Sequence, residues 1–337
     1  MAIDISNGLK EGDIEIKIIT CNTTSITLLT DEKFGGKVIQ PDVKANRALA
    51  EHGLAMSISI KLNDTKHHFL LDTGGLNGTF IKNSENLKVN LEDIEKVILS
   101  HGHFDHFGGL MDLIPKLKDG AEIYLNPICF EQNQVVLTAK GVVIPAEELG
   151  PNLRKLEKEG KVLRTAKLPT LNKSQLFDLA NQHNIKIIEI NKPNKLYNGV
   201  ITSGEIELFD EEEATKGIYL AKGRKELEEH TFRDETSLYI NVQDKGLIVL
   251  TGCAHTGLIN TIKHGQKLTG IEKIYAVIGG FHKEYESDEN IRSAVEFVEN
   301  LNPAVTCGMH CTGFRFNTIM MRHPSHTLGI VGTEFHL

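Results

Sequence analysis

Apolar and polar residues alternate along 14–20 and again along 54–62, the period of strands with one buried face. Asn63-Asp64 turns the second run into another over 68–71, and a further short apolar strand follows at 94–99. Helical spacing begins over 75–83 and returns over 110–118, with a strand at 121–125 between it and the next segment. Residues 30–48 are polar and lack a period, which predicts a loop. The stretch 127–198 has a different texture: Gly150-Pro151 and Leu168-Pro169 act as breakers, Lys, Asn and Glu are dense, and short amphipathic helices are predicted over 153–159 and 174–183. Beyond it 200–209 alternates in part, and 236–242 pairs with 247–250 across Asp244-Lys245-Gly246 as a hairpin. From there helices (260–268, 290–300) and strands (274–278, 304–306) take turns. Two β-rich halves flanked by helices predict an α/β (α+β) fold, an αβ/βα four-layer sandwich of two mixed sheets, as one domain over 1–337. Long excursions in compact domains are more often functional covers than idle connectors, so 127–198 is expected to be an insertion capping the site.

The strand ends carry the chemistry. Residues 94–99 run into Ser100-His101-Gly102-His103-Phe104-Asp105-His106, three histidines and a carboxylate within six residues. Imidazole nitrogens and carboxylate oxygens suit Zn²⁺ and similar ions. His101 and His103 alternate on an extended backbone and face one way, so they can grip one ion. Asp105 and His106, around the bend, can hold a second. Further strands end at Asp72, His255, His282 and His310. His255 and His310 lie in Gly-flanked turns at matched points, which assigns His255 to the first ion with His101 and His103, and His310 to the second with Asp105 and His106.

The pattern His-x-His-x-Asp-His resembles the signature of the metallo-β-lactamase superfamily, and Leu70-Leu71-Asp72-Thr73-Gly74 resembles that superfamily's first motif. Glu51-His52-Gly53-Leu54, Thr251-Gly252-Cys253-Ala254-His255, Gly279-Gly280-Phe281-His282 and Met309-His310-Cys311-Thr312-Gly313 are similar to one subfamily. It is the subfamily of 7,8-dihydropterin-6-methyl-4-(β-D-ribofuranosyl)aminobenzene 5'-phosphate synthase-like metal-dependent hydrolases. The resemblance implies a hydrolase that binds one or two divalent ions, Zn²⁺ in the first place and Mn²⁺ or Fe²⁺ as alternatives. It would act on a small anionic ester or phosphoester through a metal-bound hydroxide. A pterin-transferring synthase and a non-catalytic metal-binding sensor are the other readings. Asp105 would also orient the water, and His282 would serve as acid for the leaving group, as a contact to substrate phosphate or as a support. Asp72 is expected to support a liganding histidine rather than bind metal. Cys253 stands where most members carry a bridging Asp, and is either a soft ligand or a packed thiol. His52, Glu235 and Asn22 are candidate substrate contacts.

The chain of 337 residues is 40% hydrophobic, enough for a large core, and its net charge of −8 argues against a nucleic-acid backbone as partner. Five cysteines without a disulfide-like spacing suit a reducing compartment, and no run is long and apolar enough for a membrane span. The expectation is a cytoplasmic protein with a small anionic substrate, away from membranes. Its oligomeric state is not written in these patterns.

Overall fold

A computed structural model describes residues 3–41, 47–131, 135–139, 142, 144–221 and 226–337. The alternating runs build two large sheets. The first has eight strands in the order Val38–Ile39, Glu334–His336, Ile14–Thr20, Ala55–Leu62, Thr65–Leu71, Lys96–Ile98, Glu122–Leu125 and Lys186–Glu189. The second has six: Asn194–Tyr197, Val200–Thr202, Leu238–Val242, Gly246–Thr251, Ile274–Gly280 and Val305–Met309.

Period two decides which residues meet between the sheets. Ile14, Ile16 and Ile18 share a core with Met56, Ile58 and Ile60 of the neighbouring strand, and with Leu238, Ile240, Ile248 and Leu250 of the second sheet. The opposite faces take helices. Leu70, Val97 and Ile123 pack against Phe80, Leu110 and Leu176, while Tyr239, Val249 and Val277 pack against Ile262, Val295 and Phe316. The result is helix, sheet, sheet, helix, as the pattern predicts.

Both sheets are mixed. Thr65–Leu71, Lys96–Ile98, Glu122–Leu125 and Lys186–Glu189 run parallel in sequence, as do Gly246–Thr251, Ile274–Gly280 and Val305–Met309. Ligands in such sheets gather outside the carboxyl ends of parallel strands. Asp72, His101, Cys253, His282 and His310 each follow such an end by one to three residues.

Several predicted boundaries shift. The helix read over 110–118 is a short α-turn, Leu110–Leu113, followed by a 3-10 turn at Ile114–Lys116, because Pro115 lacks the N–H that would continue it. The strand read over 200–209 ends at Thr202. The helix read from 153 starts at Ala146 and runs through Pro151, which sits inside it and leaves the Glu147 carbonyl without its helical donor. Residues 42–46, inside the predicted 30–48 loop, lie outside the described residues, as do 132–134, 140, 141 and 143 of the 127–198 stretch.

That stretch divides rather than forming one insertion. Val135–Thr138 and Val162–Ala166 pair with each other, and Ile218–Ala221 and Leu227–Glu229 complete a separate four-stranded sheet. It buries its own cluster of Val136, Leu149, Leu156, Val162 and Tyr219 against the helix Ala146–Lys158. Residues 173–197, in contrast, return a helix and two strands to the main layers. Their alternation is too short to betray which sheet they join.

Candidate metal centre

Six side chains from three strand ends converge. His101 Nε2 lies 3.1 Å from His103 Nδ1, and the ligand atoms of His101, His103 and His255 fall within 4.8 Å of one another. His310 Nε2 lies 3.2 Å from His106 Nε2 and 3.3 Å from Asp105 Oδ2. Nitrogens bound to a tetrahedral ion at about 2.0–2.1 Å stand roughly 3.3 Å apart, so these spacings are those of a ligand set.

Outer hydrogen bonds decide where each ring keeps its proton. Asp72 Oδ1 accepts the Ser100 N–H at 2.7 Å, and Asp72 Oδ2 accepts both the Ser100 hydroxyl and His106 Nδ1–H at 2.7 Å. The Ser100 hydroxyl spends its only proton on Asp72, so at 2.9 Å it accepts from His101 Nδ1–H. On the far side the Gly53 N–H donates to Asn22 Oδ1, which fixes the amide's orientation. His310 Nδ1, 2.9 Å from the same oxygen, must donate to it. His101 and His310 therefore turn an Nε2 lone pair inward, and Asp72 holds His106 with its Nε2 facing the same space. His255 is 1% exposed, and neither of its ring nitrogens has a hydrogen-bond partner among the described residues. A buried, unpartnered imidazole beside three inward-facing Nε2 atoms fits a bound divalent cation.

The electrostatics agree. Burial pushes His101 and His255 far down and His103 to about 4, so these rings stay neutral, the form that binds metal. Burial also works against a charge on His106, but the Asp72 and Asp105 carboxylates outweigh it and raise this ring to about 9. Asp105 is buried too, yet His106, His310 and His52 hold its carboxyl well below the usual range.

Backbone strain accompanies the convergence. Asp72, Ala254, His282 and His310 all have φ between 44° and 63°, a region that non-glycine residues rarely adopt. Gly108 has no room for a side chain: a Cβ there would come within 2.2 Å of the Gly75 carbonyl carbon.

The remaining candidates fall into place around this core. Asp72 touches His106 and Ser100 and does not face the ion position. Cys253 Sγ is 3.1 Å from His106 Nε2, between the two groups of ligands. His282 lies against His255, with ring centroids 4.1 Å apart. Asn22 orients His310 and also donates to His52 Nδ1 at 3.2 Å, which leaves the His52 proton on Nε2, 3.1 Å from Asp105 Oδ2.

Glu235, read as a substrate contact, is corrected. It is 1% exposed, and its carboxylate accepts the backbone N–H groups of His255 and Thr256 at 2.6 and 2.7 Å and the Thr256 hydroxyl at 2.7 Å. It anchors the turn that carries His255 and is not among the residues that line the cavity. Cys311 is the residue that sequence reasoning passed over, although it follows His310 directly: its Sγ is 3.2 Å from Cys253 Sγ.

The centre floors a cavity of about 700 Å³. His52, His103, Asp105, His255, His282 and His310 form its polar base. Its walls are largely apolar, with Leu137, Ala166, Leu168 and Ile218 from the small sheet and its flank facing Phe314 and Ile330. Arg164, also from the small sheet, is the only lysine or arginine side chain among the described lining residues.

This sandwich, with its histidines at parallel strand ends, is of the metallo-β-lactamase type, and residues 56–160 match the family model described as the metallo-beta-lactamase superfamily. The chain is 31% identical over 277 residues to a 7,8-dihydropterin-6-methyl-4-(beta-D-ribofuranosyl)-aminobenzene-5'-phosphate synthase of Methanocaldococcus jannaschii, covering 81% of this chain and 84% of the relative. An uncharacterized protein of the same organism is 24% identical over 296 residues, 88% of this chain and 97% of its own. Among solved structures, a metal-dependent hydrolase of the beta-lactamase superfamily superposes with a TM-score of 0.66 at 20% identity, covering 96% of this chain and 99% of that one. The chain belongs to the metallo-β-lactamase superfamily, in the branch that includes this synthase. Among the described residues no helix is long and apolar enough to cross a membrane.

Proposed function

We propose that the protein is a metal-dependent hydrolase of a small anionic ester or phosphoester. The observation that carries this reading is the set of inward-facing Nε2 atoms of His101, His106 and His310 beside the unpartnered His255. His101, His103 and His255 would hold one divalent ion, and Asp105, His106 and His310 a second, with Zn²⁺ favoured by the imidazole-rich donors. Bound there, a divalent ion would supply polarisation of the scissile group and a lowered pKa for water.

The chain's own groups supply the rest. Asn22 keeps the His52 proton on Nε2 at the cavity floor, so His52, rather than His282, stands ready to donate to a leaving group. The small sheet acts as the cap. Its apolar side chains seat the organic part of the substrate and exclude water, and Arg164 meets the anionic end.

A synthase is the second reading, favoured by the name of the 31% identical relative and by a cavity roomier than a small ester needs. Incubation of the metal-loaded protein with carboxylic and phosphate esters in ¹⁸O-water separates them. Hydrolysis places a water-derived oxygen in the product, whereas synthesis joins two organic substrates without it. The hydrolase reading also requires that His101→Ala and His103→Ala each abolish turnover and lower metal content. Retention of both by either variant overturns it.

A further inference from the structure

Two thiols and an imidazole meet at the edge of the centre, outside both groups of ligands described above. Cys253 follows the strand Gly246–Thr251, His282 follows Ile274–Gly280, and Cys311 follows His310. The two sulfurs are 3.2 Å apart, and the ligand atoms of all three residues fall within 4.8 Å of one another. All three line the cavity. His282 Nδ1 is buried with no hydrogen-bond partner among the described residues, and the residue holds a left-handed φ of 44°. Such strain at a non-glycine position persists where the surroundings impose it. Two sulfurs and an imidazole form a soft donor set, unlike the oxygen and nitrogen donors of Asp105 and His310.

We propose that Cys253, Cys311 and His282 form a thiophilic metal position of their own, taking a Zn²⁺-class ion whose fourth coordination place opens to the cavity. Three protein ligands with one open place are the usual pattern of a zinc ion that meets substrate. Sulfurs bound at about 2.3 Å to a tetrahedral ion stand roughly 3.8 Å apart, so the pair opens by about 0.6 Å on loading, within the reach of small side-chain rotations. Cys253 Sγ also lies 3.1 Å from His106 Nε2, so filling this position perturbs the neighbouring one. The assignment stands whether or not the histidine positions drive hydrolysis.

The test is titration of the full-length, reduced and chelator-stripped protein with Co²⁺ and with Cd²⁺ alone. Thiolate-to-metal charge-transfer absorption and metal content by mass spectrometry are followed together. The wild type should develop the thiolate band, Cys311→Ser should keep about half of it with a weakened binding isotherm, and Cys253→Ser/Cys311→Ser should show none and hold about one ion per chain fewer. His282→Asn, which leaves both sulfurs in place, should weaken the band's binding isotherm at least about tenfold. This variant also decides the matter if Cys253→Ser does not fold. His103→Ala should keep the band while losing a histidine-held ion, so failure of the histidine reading is scored separately. A metal-loaded wild type without a thiolate band, or a band indifferent to both Cys311→Ser and His282→Asn, overturns the proposal.

Discussion

Asp72→Asn replaces one oxygen with an NH₂ group and tests whether proton placement, rather than ligand identity alone, builds this centre. The backbone tolerates the change, because Asn accepts the left-handed φ of 63° that Asp72 holds. Asn oxygen must keep the Ser100 N–H, since an amide NH₂ there would meet another donor. Its NH₂ group then faces the Ser100 hydroxyl and His106 Nδ1, both 2.7 Å from the atom it replaces. His106 Nδ1 has to become an acceptor, which moves its proton to Nε2. The Ser100 hydroxyl, now accepting from Asn, donates to His101 Nδ1 and moves that proton inward as well. One atom thus blinds two ligands. Loss of one outer partner lowers metal affinity about 10–100-fold, so two rings together predict a loss of roughly 10²–10⁴-fold.

The same substitution has a signature without metal. Asp72 and Asp105 together raise His106 from its ordinary 6.5 to about 9, so in the stripped protein the charged ring stabilises the fold. The folded value lies above the unfolded one, so this stability is complete below pH 6.5 and is lost as pH rises through 9. Urea unfolding of chelator-stripped protein between pH 6 and 10 should show that decline in the wild type and a shallower one in Asp72→Asn, where only Asp105 remains. Competition with a chromophoric chelator measures the affinity. Wild-type affinity together with an unchanged pH slope would refute the tautomer account.

Glu235→Ala strands three buried donors in the His255 turn, and a buried donor left without its acceptor costs about 1–3 kcal/mol. Its urea midpoint should fall accordingly, and its metal content should fall with the loss of the His255 position. Arg164→Gln should raise KM about tenfold or more for substrates bearing an anionic group and leave kcat nearly unchanged, since a charge-assisted hydrogen bond is worth about 1.5–3 kcal/mol. Equal loss for neutral analogues would argue against that contact. Tyr219→Phe removes a buried hydroxyl that donates to Ile144 O at 2.7 Å and accepts from Ile144 N at 3.1 Å. It should cost about 1–3 kcal/mol, seen as faster proteolytic nicking within the small sheet while the main sandwich stays resistant.

The histidine cluster and the strand ends were legible because both rest on local signals, a period of two and ligand residues at fixed spacing. Ser100 carried no such signal. Its value comes from a hydroxyl with a single proton, placed between Asp72 and two histidines from a different turn. Glu235 reads in the sequence as a candidate substrate contact, and only the fold reveals that its partners include backbone groups twenty residues onward. The small sheet was hidden for a similar reason. Its central pair joins Val135–Thr138 to Ile218–Ala221, segments about eighty residues apart, and no periodicity in either names the other.

These misses share a cause that bears on function. Ligand types in the right order specify that a metal can bind, and many sequences carry them. Selectivity among metals and reactions lies in the groups behind them: a carboxylate that fixes a tautomer, an amide oriented by the Gly53 N–H, a thiol in place of a bridging carboxylate. Removing Asn22 should therefore change the chemistry more than the metal count. Asn22→Ala frees His310 to rotate and releases the His52 proton from Nε2, while leaving the His101, His103 and His255 position untouched. One ion should stay bound at wild-type affinity while turnover falls about 10–100-fold, the weight of one positioned proton donor or one outer ligand partner. Full activity in that variant would exclude His52 as the donor and return the role to His282.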